Sequence, residues 1–191
     1  MAKLYFKYGA MGSSKTAQAL ITKFNYEERN MKVLLLKPAV DNRDGANTVK
    51  SRIGLEKEAV SVREDENLYD KYTREYSDCK VIIVDECQFL TPEQVDQLGD
   101  IVIKKNIPVL CFGLATDFMT HLFPGSKRLF EIAESVSEIK SICNCGAKAT
   151  VNARIDDNGN IVTEGSQVCI GGNDRYLAMC RRCWLKKRTQ A

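Results

Sequence analysis

The chain has 191 residues, with 28 Lys and Arg against 25 Asp and Glu, and its formal net charge is +3. This balance gives no electrostatic argument for a nucleic-acid partner, and the length allows one domain plus a small appendage. No apolar run is long enough to span a membrane, and the charged N-terminus lacks the pattern of a signal peptide. We therefore expect a cytoplasmic protein with no membrane partner and no nucleic-acid partner.

Short apolar runs recur along the first 140 residues. They cover Leu4–Tyr8, Val33–Leu36, Val81–Val84 and Val109–Leu114. The runs are rich in Val, Ile and Leu and are nearly continuous, which is typical of strands buried on both faces. Because helix-like segments separate them, the pattern predicts an α/β fold with a parallel sheet and right-handed crossovers.

Three helices are predicted between these strands. The first covers Lys15–Arg29, ends near Asn30, and has an apolar face. That face consists of Ala17, Leu20, Ile21 and Phe24. A less regular helix covers Leu68–Tyr76. The third begins after Thr91, which starts a capping box with Gln94 and precedes a proline at the first helical position.

A near match to a P-loop follows the first predicted strand. It consists of Gly9, Ala10, Met11, Gly12, Ser13, Ser14, Lys15 and Thr16. In such a loop, backbone N–H groups and the following helix N-terminus hold the phosphates of ATP. Lys15 would reach the outer phosphates, and the Thr16 hydroxyl would bind Mg²⁺. Ser14 stands where the general pattern has Gly, and the alternative is a Gly/Ser-rich turn before an ordinary helix.

Two acids end the third predicted strand. Asp85 would bind Mg²⁺ directly or through water. Glu86 can point to the other side of the site and polarise a water, as in an ATPase, or a substrate hydroxyl, as in a kinase. The alternative is two acids that only cap a strand end.

Asp41 and Arg43 follow the second predicted strand. Loops at the carboxyl ends of parallel strands line the ligand crevice, so Arg43 could neutralise charge on a transferring phosphoryl group. On the local pattern alone, a polar surface loop is the better interpretation. The only histidine, His121, is also expected in a surface loop.

The eight cysteines divide into two groups. Four lie singly in or beside apolar segments and are expected to be small buried residues. These are Cys79, Cys87, Cys111 and Cys169. The other four form two close pairs, Cys143 with Cys145 and Cys180 with Cys183. Two such pairs predict a closed four-thiolate Zn²⁺ site with a structural role; four free thiols are the alternative.

The segment between the cysteine pairs is rich in Gly and Asn and has little apolar content. Its strand-like pieces are Thr150–Ile155, Ile161–Val162 and Val168–Ile170. A metal site would hold this segment in place. The closing stretch Arg181–Arg188 is short and basic, and its residues Lys186, Lys187 and Arg188 are interpreted as a solvated tail rather than as a nucleic-acid patch.

Taken together, these segments resemble the zinc-containing thymidine kinases of bacteria and the animal cytosol. The resemblance covers nearly the whole chain. It rests on the P-loop, on residues 85–89 and 113–118, on the cysteine pairs and on residues 170–176. In the last segment, a Gly-Gly turn and Asp-Arg-Tyr precede the second cysteine pair.

This resemblance implies a RecA-like P-loop domain over residues 1–140, followed by a small zinc-ribbon lasso domain over residues 141–191. The implied reaction transfers the ATP γ-phosphoryl group to the 5′-hydroxyl of thymidine. Glu86 would be the base, with Lys15 and Arg43 beside the phosphoryl group. The family is usually a homotetramer that dTTP inhibits.

The resemblance also implies the remaining contacts. Asp41, Asp85, Cys87 and Gln88 would lie beside the nucleotide and Mg²⁺. The thymidine would contact Phe89, Phe118, Gln167, Val168, Cys169, Ile170, Gly171 and Tyr176. The chain departs from the family at Ser14, in place of Gly, and at Gly12, where a bulky aromatic residue is frequent.

Two other functions remain open at this stage. One is a nucleic-acid-dependent P-loop ATPase whose zinc ribbon grips a strand; this would require a basic face with stacking aromatic residues. The other is a P-loop protein that Ser14 has inactivated.

Overall fold

The computed structural model of the chain describes residues 1–168 and 175–189. Its strands are β1 (Leu4–Tyr8), β2 (Val33–Pro38), β3 (Thr48–Lys50), β4 (Glu56–Glu58), β5 (Val60–Val62), β6 (Val81–Val84), β7 (Val109–Gly113), β8 (Ser135–Glu138), β9 (Ser141–Ile142), β10 (Lys148–Ala149), β11 (Val151–Arg154) and β12 (Tyr176–Met179). Its helices are α1 (Lys15–Glu27), α2 (Leu68–Glu75), α3 (Pro92–Lys105), α4 (Pro124–Ile132) and α5 (Arg181–Arg188). A 3₁₀ turn covers Cys87–Phe89.

A six-stranded sheet forms the centre, in the order β5-β2-β6-β7-β1-β8. Every neighbouring pair in it is parallel. The predicted α/β fold is therefore confirmed. All residues of β2, β6 and β7 are buried, as their continuous apolar sequences predicted.

Helices cover both faces of this sheet. On one face, Leu68 of α2, Leu98 of α3 and Leu129 of α4 belong to one apolar cluster with the sheet. On the other face, Leu20 of α1 packs with Val49 of β3 and with strand residues in a second cluster. The antiparallel hairpin of β3 and β4 is thus attached to the same face as α1.

The predicted apolar face of α1 was partly wrong. Ile21 and Phe24 are 46% and 52% exposed. The buried face instead contains Ala17, Ala19, Leu20 and the stem of Lys23. The small side chain of Ala19 packs into the second apolar cluster, which turns Phe24 toward solvent. The helix ends at Glu27 rather than Arg29, and Asn30 follows with a left-handed φ of 58°.

The capping box at the start of α3 is confirmed. Thr91 Oγ accepts from the Gln94 N–H at 3.1 Å, and Gln94 Oε1 accepts from the Thr91 N–H at 3.2 Å. The helix ends at Lys105, where Asn106 adopts a φ of 54°. Sequence patterns did not predict β5 and β8, which are the edge strands of the sheet, or α4, which packs on one of its faces.

The region after residue 140 is built from two small antiparallel pairs and one helix. β9 pairs with β10, and β11 pairs with β12. The predicted strand Thr150–Ile155 is β11, whereas Ile161 forms only a single bridge with Ile155. Val168 is not in a strand, and Cys169 and Ile170 lie outside the described residues.

Within residues 1–168 and 175–189, no helix has the length and apolar character needed to cross a membrane.

Two isoleucines on α3 provide a test of this packing. Ile101 is fully buried, whereas Ile103 is 73% exposed. We expect Ile101→Ala to lower the free energy of unfolding by about 2–5 kcal/mol, because it removes buried methyl groups and leaves a cavity. Ile103→Ala should change it by less than about 0.5 kcal/mol. Urea denaturation measures both, and equal effects would contradict the position of α3.

Candidate active site

A cavity of about 870 Å³ opens at the carboxyl edge of the central sheet. Its wall includes the P-loop, the loop after β2 and the turn of the β3–β4 hairpin. Residues that follow β6 and β7 line its centre, and residues 152, 167, 168 and 176 close the far end. The parallel strands thus bring loops that are far apart in sequence to one crevice.

The P-loop is shaped by residues with left-handed backbone angles. Gly12 has a φ of 75°, and Ser14 has a φ of 61° at the cap of α1. Ser14 makes no side-chain capping hydrogen bond. Gly9 is needed for space, because a Cβ there would lie 2.3 Å from the Ile139 carbonyl oxygen. The first residues of α1 line the cavity, so the helix N-terminus faces it, as a phosphate site requires.

Lys15 is buried inside this loop. Its Nζ donates to the carbonyl oxygens of Ala10 at 2.9 Å and Gly9 at 3.1 Å. Burial is the main reason that the pKa of Lys15 lies below its ordinary value; the charges of Glu86 and Asp85 oppose this shift. A third bond, at 3.3 Å, goes to the Ser13 hydroxyl, so the buried ammonium group has only uncharged oxygen partners and is suited to binding phosphate oxygens.

Asp85 lies behind the P-loop, where it accepts a hydrogen bond from the Thr16 hydroxyl. Burial and the charge of the neighbouring Glu86 raise the pKa of Asp85 to about 7. The pair offers a carboxylate and a hydroxyl, which are the hard oxygen ligands that a divalent cation prefers. A bound cation would favour the ionised carboxylate.

Glu86 is held at the centre of the cavity. It adopts a left-handed φ of 50°, which is unfavourable for a side chain other than Gly. Its Oε1 accepts from Arg43 Nη2 at 2.6 Å, and its Oε2 accepts from Gln88 Nε2 at 2.6 Å. Gln88 is itself fixed, because its Oε1 accepts from the Leu114 N–H at 3.0 Å.

Arg43 lies between two carboxylates. Its Nε donates to Asp41 Oδ1 at 2.6 Å, in addition to its bond to Glu86. Burial alone would raise the pKa of Asp41, but Arg43 and Lys37 outweigh it and lower this pKa. Lys37 is fully buried and donates to the carbonyl oxygens of Gly45 and Thr48. The residues that local pattern placed in a surface loop are thus part of the cavity wall.

An aromatic group lies at the far end of the cavity. Phe118 is buried, and the Arg154 guanidinium stacks 3.8 Å from its ring centroid. Arg154 Nε also donates to the Tyr176 hydroxyl at 2.9 Å. Phe89 meets Phe123 edge-on at 5.7 Å between ring centroids. These rings offer a flat apolar surface beside polar groups, which suits a nucleobase.

Gln167 is tied to this end by its side chain. Its Nε2 donates to Asp117 Oδ2 at 2.9 Å. The other Asp117 oxygen accepts from the N–H groups of Met119 and His121. His121 is exposed, as predicted for a surface loop. Asp117 therefore anchors the segment that brings Gln167 and Val168 to the cavity.

Most predicted nucleotide and nucleoside residues meet in this cavity. On its wall are Met11, Gly12, Ser14, Lys15, Thr16, Asp41, Arg43, Glu86, Gln88, Phe89, Phe118, Gln167, Val168 and Tyr176. Gly9, Ala10, Ser13 and Asp85 are buried and do not line the cavity. Cys87 is fully buried with its thiol against Cys111, so its side chain faces the core rather than the cavity. Cys169, Ile170 and Gly171 lie outside the described residues.

Sequence reasoning missed Asn152 and Arg154, both buried on β11. Asn152 Oδ1 accepts from the Met11 N–H at 2.7 Å, and its Nδ2 donates to the Thr116 carbonyl at 2.9 Å. Asn152 therefore joins the P-loop to the segment after β7. The only available signal was two polar residues within the strand-like run Thr150–Ile155.

The two cysteine pairs meet in space. The sulfur atoms of Cys143, Cys145, Cys180 and Cys183 all lie within 4.8 Å of one another. Cys145 Sγ and Cys180 Sγ are 3.7 Å apart. A tetrahedron of thiolates around a metal at about 2.3 Å has edges of about 3.8 Å, so the cluster fits a metal site. Cys79, Cys87 and Cys111 are buried, as predicted, and Cys169 is outside the described residues.

Comparisons with known proteins agree with this arrangement. A family model described as thymidine kinase matches residues 2–184. The thymidine kinase of Vibrio vulnificus strain YJ016 is 48% identical over 184 residues, covering 95% of this chain and 96% of that protein. The thymidine kinases of Zymomonas mobilis and of Haemophilus influenzae strain Rd are each 46% identical over 189 residues, covering 98% of both chains. The chain therefore belongs to the thymidine kinase family.

Proposed function

We propose that the chain transfers the γ-phosphoryl group of ATP to the 5′-hydroxyl of thymidine. The observation that carries this function is the composition of one cavity. A P-loop with a buried lysine forms one end, aromatic and amide groups form the other, and Glu86 lies between them. A nucleoside in the aromatic end and a triphosphate on the P-loop would meet at this carboxylate.

Glu86 is the group proposed to take the proton from the 5′-hydroxyl. As the proton leaves, a bond forms between the 5′-oxygen and the γ-phosphorus. The bond from this phosphorus to the β–γ bridging oxygen breaks, and ADP departs. Arg43 and Gln88 each donate to one oxygen of Glu86, so they orient the carboxylate while leaving it lone pairs for the proton.

The phosphates of ATP are proposed to bind the N-terminus of α1, with Lys15 beside the outer phosphates. Thr16 and Asp85 would hold Mg²⁺, which neutralises charge on the phosphates when bound. Arg43 would balance charge near the phosphoryl group. The reaction then depends on alignment and charge stabilisation rather than on a covalent intermediate.

The nucleoside is proposed to lie against Phe118 and Phe89, near Gln167, Val168 and Tyr176. Both rings line the cavity, and the Arg154 guanidinium, stacked 3.8 Å from the Phe118 ring centroid, restricts the movement of that ring. Residues 169–171, which the resemblance adds to this site, lie outside the described residues.

We further propose that the four-cysteine cluster holds Zn²⁺ with a structural role. The four thiol groups would supply all four ligands of a tetrahedral site, and their spacing matches the thiolate site that Zn²⁺ prefers. The cluster ties β9, β10 and α5 together. A division near residue 140, between β8 of the central sheet and β9, is proposed as the boundary of the two domains.

A homotetramer and feedback inhibition by dTTP are proposed from the family resemblance, and a cytoplasmic location is proposed from the sequence pattern. A cavity that has a nucleoside end next to a triphosphate end supports the binding of dTTP in particular.

Glu86→Gln tests the proposed base. We expect turnover with ATP, Mg²⁺ and thymidine to fall by a factor of about 10² to 10⁴, because the amide cannot accept the proton. Thymidine and ATP binding should stay nearly unchanged. Glu93→Gln, at an exposed position of α3, is the matched control. Near-wild-type turnover in Glu86→Gln would reject Glu86 as the base.

The same assay separates the function from its rival. Formation of thymidine monophosphate is expected in the wild-type protein. If single-stranded DNA stimulates ATP turnover and thymidine is not phosphorylated, the chain is instead a nucleic-acid-dependent ATPase.

The metal content tests the cysteine cluster. We expect about one Zn²⁺ per chain after purification under reducing conditions. Cys180→Ser should lose the metal and unfold at a melting temperature several degrees lower. Cys79→Ala, which changes a buried thiol outside the cluster, should retain the metal. Elemental analysis decides this, and a wild-type protein without Zn²⁺ would contradict the proposed ligand set.

Ser14→Gly tests the backbone of the P-loop. Because Ser14 has a φ of 61°, Gly should relieve strain and raise the free energy of unfolding by about 1 kcal/mol. ATP affinity should stay equal or improve. Ser14→Ala removes the hydroxyl but keeps the Cβ, so it should not gain this stability. A weaker ATP affinity in both variants would show that the hydroxyl contributes to the site.

A further inference from the structure

The turn of the β3–β4 hairpin is fixed above the P-loop. Val49 anchors the hairpin in the apolar core, and Lys37 holds its first residue through the Thr48 carbonyl at 2.9 Å. The turn is closed by Ser51, whose N–H donates to the Leu55 carbonyl at 2.8 Å. Its residues therefore have a defined position on the cavity wall.

Arg52 is the cationic residue in this turn, and its side chain reaches the P-loop. A Cβ placed on Gly12 would lie 3.6 Å from Arg52 Nη1. The positive charge of Arg52 is also one of the influences that lower the pKa of Lys15. Two cations from distant parts of the sequence thus converge on the loop that would hold the phosphates.

The other arginine of the cavity is placed differently. Arg43 forms ion pairs with Asp41 and with Glu86, which is the proposed base. Arg52 instead lies over Gly12, close to the lysine that would contact the outer phosphates. The two arginines therefore serve different parts of the site.

We propose that Arg52 is a phosphate-binding residue that contacts the outer phosphates of ATP from the hairpin side. This inference rests on the proposed function for the identity of the triphosphate. A guanidinium group can donate two parallel hydrogen bonds to phosphate oxygens. Arg52 would thus neutralise phosphate charge from the hairpin, while Lys15 and the backbone N–H groups neutralise it from the P-loop. The hairpin then acts as a second wall of the triphosphate site.

The proposal is tested by binding as well as by turnover. Calorimetry with the β,γ-imido analogue of ATP and Mg²⁺ measures triphosphate affinity in Arg52→Gln, Arg52→Lys and wild-type protein. We expect Arg52→Gln to weaken binding by at least about tenfold, because a charge-assisted contact is lost. Arg52→Lys should retain part of the affinity, and thymidine affinity should change less than about twofold in both.

Lys57→Gln is the matched control, because it removes one positive charge from an exposed position on the same hairpin. Triphosphate affinity within twofold of wild type in Arg52→Gln would overturn the proposal. An equal loss in Lys57→Gln would also overturn it, since net charge would then explain the effect. If the wild type binds the analogue but does not phosphorylate thymidine, the proposed function fails while the Arg52 comparison still stands.

Discussion

The parallel register of the central strands is the constraint on which the site depends. Leu36 of β2 lies beside Val84 of β6, and Val84 lies beside Cys111 of β7, which in turn lies beside Phe6 of β1. These four residues form one row across the sheet. The chain leaves the sheet within a few residues of that row on every strand. The parallel pairing therefore brings four parts of the site to one edge of the sheet. These are the P-loop, the buried Lys37, the Asp85–Glu86 pair and the segment after Gly113.

That edge is electrostatically and conformationally costly. Lys15, Lys37, Asp41 and Asp85 are all buried there, and burial of a charged group is unfavourable unless it is paired. Ser14 and Glu86 also adopt left-handed backbone angles, each at a cost of about 1–3 kcal/mol. The apolar clusters on both faces of the sheet must supply the stability that maintains this arrangement. In return, the charged groups are already oriented before a substrate binds, so little reorganisation remains for the reaction.

The cysteine cluster contributes to the same site from a distance. It lies at the ends of β9, β10 and α5, and β12 joins it to β11. From β11, Asn152 bonds to the backbone of the P-loop, and Arg154 stacks on Phe118. A structural metal would thus fix the position of Asn152 at the nucleotide end and of Arg154 at the nucleoside end. The region after residue 140 in this way supplies part of the wall of the candidate site.

The sequence alone determined the elements whose signals are local. Continuous apolar runs identified β1, β2, β6 and β7, side-chain and proline preferences identified the start of α3, and residue spacing identified the P-loop and the cysteine pairs. The tertiary structure decided which of these meet. The face of α1 was predicted incorrectly because its burial depends on how closely Ala19 approaches the sheet. Arg43 was assigned to a surface loop on local pattern, yet it bonds to Glu86, 43 residues away. Asn152 and Arg154 stood out locally only as polar residues in a strand-like run, and their contacts with the P-loop and with Phe118 depend on residues that are distant in the chain.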